Sequence, residues 1–105
     1  MRLVNYVDRK GHDRFQEWFD GLRDRTARVA ITRRLDRLVD GHTGDCKFCR
    51  DGVWELRIDV GPGYRVYYAQ AGETIILLLC GGSKGTQRRD IDRAVDYSND
   101  YHQRL

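Results

Sequence analysis

At 105 residues the chain is long enough for one hydrophobic core and too short for two independent ones, so a single domain over 1–105 is expected. With 40% hydrophobic and 33% charged residues, one proline and a mean hydropathy of −0.70, the composition excludes a disordered or membrane-spanning chain. The net charge of +3, with 12 Lys/Arg against 9 Asp/Glu in residues 1–52 and balance elsewhere, permits a nucleic-acid partner without demanding one.

No apolar run reaches the length of a transmembrane helix, and MRLVNYVDRKGH lacks the apolar stretch of a signal peptide. A cytoplasmic protein with no membrane partner is expected. RLVNYV, residues 2–7, alternates as a first strand, with Asp8 and Gly11 as turn or cap residues behind it. Phe15, Trp18, Phe19 and Leu22 then recur at i, i+3, i+4 and i+7, the stripe of a short amphipathic helix. Asp24 is the expected N-cap of a second helix that turns Ala27, Ile31, Leu35, Leu38 and Val39 to one side and stops at Gly41. Arg25, Arg28, Arg33 and Arg37 fall on its other flanks, either as an ordinary solvated surface or as a contact for RNA or an acidic partner.

After HTGD the period changes from helical to alternating. CKFCRD, VWELRIDV, YRVYYAQ and TIILLLC read as strands, and GPG (61–63) reads as the tight loop between the second and third of them. A three-residue loop sets Val60 opposite Tyr64, Ile58 opposite Val66 and Leu56 opposite Tyr68. One face is then apolar, and the other carries Glu55, Arg57 and Asp59 beside Arg65 and Tyr67. The last element, TQRRDIDRAVDYSNDY, is expected to be a helix capped by Thr86, with Ile91, Ala94, Val95 and Ser98 on one side.

Cys46, Cys49 and Cys80 are expected to be thiols. The CKFC spacing invites a zinc reading, but a structural site needs four ligands and no second Cys/His pair follows, so no metal is expected. The charged hairpin face admits two readings. Asp59 and Arg65 form a cross-strand ion pair on a wet sheet face, or the cations of that face, joined by Lys84 and Gln87, surround a phosphodiester.

Three blocks, ELR, GPGYRVYY and the GGxKxTQ…DI…A run, together with FQEWFDGLRDRTARVAITRRLDRLVDGHTGD upstream, resemble the HigB-like branch of the RelE/ParE toxin superfamily from about Phe15 to Tyr101. The resemblance implies an α+β fold, with an N-terminal strand and two helices on one face of a mainly antiparallel sheet, plus a C-terminal helix. It implies the toxin of a type II toxin–antitoxin pair, a ribosome-dependent mRNA endoribonuclease that uses no metal or other cofactor. Its partners would be mRNA and the ribosome, a small helix-turn-helix antitoxin, and promoter DNA only through that antitoxin. By motif, Arg65, Arg57, Lys84 and Tyr67 are the implied catalytic residues and Gln87, Arg88 and Tyr64 the implied substrate-binding ones. Ser83 stands where the GGxK block commonly carries Asp, and no histidine matches a catalytic position, although His102 could approach the site. A ParE-like gyrase inhibitor and a non-catalytic antitoxin-binding remnant share the same scaffold.

Overall fold

The expected switch from helical to alternating period appears in the computed structural model, which describes residues 1–105. The order is β1 (Arg2–Asn5), α1 (Arg14–Asp20), α2 (Arg25–Val39), β2 (Cys46–Arg50), β3 (Val53–Ile58), β4 (Tyr64–Ala71), β5 (Ile75–Ser83), a 3₁₀ turn (Lys84–Thr86) and α3 (Gln87–Gln103). The strands form one sheet in the order β1-β5-β4-β3-β2, antiparallel except for the β1–β5 pair. This is the α+β arrangement expected from the sequence. No helix is long and apolar enough to cross a membrane.

Local chemistry sets the helix starts. Asp13 accepts a hydrogen bond from the Gln16 N–H, and Asp24 accepts one from the Ala27 N–H at 3.1 Å, which satisfies donors that a helix start leaves open. Thr86 takes the N-cap position of α3, but its hydroxyl donates to the Asp90 carboxylate and accepts from the Ser83 N–H rather than from an N–H of α3. Gly41, with φ of 88°, turns the chain out of α2 in a conformation that glycine adopts without strain.

Each sheet face has its own core. Phe15 of α1 and Ile31, Leu35 and Leu38 of α2 pack on Leu56, Ile58, Val66, Tyr68, Ile76 and Leu78. On the opposite face Ala94 and Val95 of α3 cover Val53, Tyr67, Ala69, Leu77, Leu79 and Cys80, with Tyr6 beside them. The expectation of a wet second face is therefore corrected. Burying Val53, Leu77 and Leu79 is worth roughly 2 kcal/mol each, so a helix with a matching stripe settles there.

The hairpin register also differs from expectation. Ile58 pairs with Tyr64, Arg57 with Arg65 and Leu56 with Val66, so the connecting loop runs from Asp59 to Gly63. Both glycines of GPG take positive φ, and the Gly63 N–H closes the turn on the Val60 carbonyl at 3.1 Å. A slip of two residues keeps every side chain on its expected face but changes its partner. The Asp59–Arg65 pair is consequently absent, with Asp59 left exposed in the loop.

Two contacts lock the helices to the sheet. The Trp18 ring lies over Gly81, where an added Cβ would stand 2.1 Å from the indole. Gly81→Ala should therefore destabilise the fold by about 1–3 kcal/mol in urea unfolding, because Trp18 is held between Phe15 and Tyr64. At the far end of α3, Asp100 accepts hydrogen bonds from Tyr6 Oη and Arg9 Nε, each at 2.6 Å, and pairs with Arg104 at 2.8 Å. The Tyr6 bond, then the Arg9 bond, hold the Asp100 carboxyl below its usual range, so this tie is complete at neutral pH and lost as pH falls. Amide exchange in the last turns of α3 should accelerate below about pH 4, and Asp100→Asn should remove that dependence.

Candidate nucleic-acid interface

Register brings the cations together. Arg57 of β3 stands directly opposite Arg65 of β4, and the next position across, on β5, is Gly82, which adds no side chain. Beyond it the Lys84 N–H donates to the Gly63 carbonyl at 3.1 Å and ties the end of β5 to the hairpin loop. Arg57, Arg65 and Lys84 thereby line one open cleft of about 370 Å³, with Asp45 and Asp59 on its walls. Lys84 is exposed, Arg57 part-exposed, and Arg65 recessed, with 12% of its side-chain surface accessible.

Two arginines facing each other on a ladder repel. The neutralising group is Glu55, which is fully buried. Its Oε1 accepts from Arg57 Nε at 2.8 Å, its Oε2 accepts from Gln87 Nε2 at 2.8 Å, and Oε2 lies 4.0 Å from Arg65 Nε. The Glu55 bond also raises the Arg57 pKa, so the guanidinium stays charged while its Nη groups remain free for the cleft. The buried Arg65 Nε makes no hydrogen bond within the protein. From the other face, Arg34 of α2 donates to the carbonyls of Arg57, Thr43 and Asp45 at 2.5, 3.2 and 3.0 Å, and so fixes the backbone behind the cleft.

A second cleft of about 370 Å³ lies between β2 and the start of α3, and Glu55 forms part of its floor. Gln87 and Arg88 reach it from α3, Lys47 and Cys49 from β2, and an Arg50–Asp92 ion pair joins the two elements. Glu55 therefore separates the two clefts and bonds a side chain in each.

Not every expected residue meets the cations. Tyr67, opposite Glu55 on β4, is completely buried, and its hydroxyl has no partner. Burial first, and the Glu55 charge second, raise its pKa. A catalytic group has to reach the substrate, and the Tyr67 hydroxyl is sealed from solvent, so its implied catalytic role is corrected. Tyr64 points to the α1 face, edge-on to Trp18 with ring centroids 6.3 Å apart, and lines a groove between α1 and α3. His102 lies about 22 Å along the α3 axis from Gln87, with its Nδ1 2.7 Å from the Ser98 carbonyl oxygen. It does not approach the cations.

Two residues gain a site role only from the structure: Glu55, which the sequence placed on the charged face without a role, and Arg34. Glu55 carried a usable signal, a glutamate between Val53 and Arg57 at in-facing spacing. Arg34 carried none, because its partners are backbone carbonyls that only the assembled sheet presents.

Comparison with known proteins covers the same residues. The model of the family described as Phage derived protein Gp49-like (DUF891) matches residues 17–96, which include both clefts. A protein of Haemophilus influenzae, described only as uncharacterized, is 45% identical over 80 residues, covering 76% of this chain and 81% of that one. The chain belongs to the Gp49-like family, a toxin-like family related to RelE and HigB.

Proposed function

We propose that the protein is the toxin of a type II toxin–antitoxin pair and cleaves mRNA on the ribosome without a metal. The observation that carries this reading is the convergence of Arg57, Arg65 and Lys84 on one solvent-open cleft with a buried carboxylate behind the arginines. Family membership supports the toxin class.

The chemistry asks little of the protein beyond charge and placement. The 2′-oxygen of one nucleotide attacks the adjacent phosphorus, the bond to the 5′-oxygen breaks, and the products are a 2′,3′-cyclic phosphate and a 5′-hydroxyl. Negative charge builds on the non-bridging oxygens in the transition state. Arg57 and Arg65 take those oxygens, because planar guanidinium donors match a phosphate and the cleft presents them already aligned. Lys84, at the exposed rim, supplies a proton to the departing 5′-oxygen. The carboxylates of Asp45 and Asp59 in the same cleft are available to take the proton of the 2′-hydroxyl.

On this reading residues 1–105 form one toxin domain that acts in the cytoplasm. A small helix-turn-helix antitoxin neutralises it, and promoter DNA is reached only through that partner. Arg25, Arg28 and Arg33 of α2, which line one shallow groove, add a basic flank suited to ribosomal RNA.

Induced expression followed by mapping of RNA 5′ ends tests the proposal. Cuts within translated mRNA are expected, and intact transcripts accompanied by a DNA-damage response would point to gyrase instead. Arg65→Ala and Lys84→Ala should each lower cutting by roughly 10²–10³ while antitoxin binding persists. Glu55→Ala should lower stability by about 3 kcal/mol in chemical unfolding, because Arg57 and Arg65 lose the charge between them.

A further inference from the structure

We infer that the cleft between β2 and α3 is a base-reading subsite in which Gln87 accepts a hydrogen bond from the N6 amino group of adenine or the N4 amino group of cytosine, and that Glu55 sets this polarity. The inference rests on the nuclease reading and deepens it. A glutamine side chain can present either its carbonyl or its amide group to a ligand, so its environment decides what it recognises. Here Nε2 donates to the buried Glu55 Oε2 at 2.8 Å. Glu55, already paired with Arg57, accepts only, so turning the Gln87 amide over would set two oxygens against each other. Gln87 Oε1 has no partner within the protein, and because Gln87 lines the cleft, that oxygen is the acceptor it can offer there.

The surroundings suit a base more than a phosphate at that point. Ile91 and Cys49 give the cleft apolar wall, while Arg88 and Lys47 lie where the backbone of a strand leaving the Arg57–Arg65 cleft can follow them. An acceptor favours the N6 amino group of adenine or the N4 amino group of cytosine over the carbonyls that guanine and uracil carry in the same place.

The test uses the full chain, translating ribosomes and an mRNA library with a randomised A-site codon, read by sequencing of 5′ ends. The wild type should favour adenine or cytosine at one codon position by about fivefold or more, the yield of one well-placed hydrogen bond. Gln87→Ala should reduce cutting and flatten that preference. Glu55→Gln should invert it toward guanine and uracil, since a donor at residue 55 lets the Gln87 amide turn over; a purely structural role would lower cutting without inverting the profile. Thermal melting of each variant reports its fold, and Gln87→Ala, at a half-buried position, decides the matter alone if Glu55→Gln melts early. A wild-type profile with no preference, or one that Gln87→Ala leaves unchanged, overturns the subsite while the nuclease reading stands. Uncut mRNA with the wild type overturns both.

Discussion

A single buried carboxylate makes the rest of the site possible. Arg57 and Arg65 share a ladder position on neighbouring strands, where two like charges would ordinarily push the strands apart. Glu55, sealed from solvent two residues before Arg57, holds one guanidinium through a 2.8 Å hydrogen bond and lies 4.0 Å from the other. A buried ion pair of this kind adds little net stability compared with apolar packing, since desolvation offsets most of the attraction. What it supplies is fixed direction, because an arginine bonded through Nε keeps its outer nitrogens aimed at the cleft.

The C-terminal helix is the second requirement. By covering Val53, Leu77, Leu79 and Tyr67 it turns a sheet face with a few charges into a closed core with a charged rim. The cations do not project from the middle of an open platform. They stand at the end of β3 and the start of β4, beside the hairpin loop and close to where α3 begins. Gly81 and Gly82 allow this junction, since a side chain at either would strike Trp18 or Asp90. The GG pair is thus a packing requirement, and Lys84 is carried to the cleft by the chain that follows it.

These two features also account for the fate of Tyr67. Alternation puts it on the same face as Arg57 and Arg65, which is correct, yet its place opposite Glu55 lies one step further under α3. Two residues along one strand separate a recessed but reachable guanidinium from a phenol that meets no solvent. Membership of one sheet face is therefore weaker than membership of one cleft as a guide to shared chemistry.

Sequence alone determined the order of elements, the two helix stripes, the Asp24 cap and which side chains share a sheet face, because each follows from a short-range period or a local hydrogen bond. It also marked Arg57, Arg65, Lys84 and Gln87, which the structure gathers on either side of Glu55. Only the tertiary structure decided the hairpin register, since loops of three and five residues both preserve the alternation and differ only in cross-strand partners. It alone decided that the second face is closed, because the stripe of α3 does not say which surface it covers. The role of Glu55 was likewise settled by burial, which turns an ordinary strand glutamate into the counterion of two arginines and the fixed partner of Gln87.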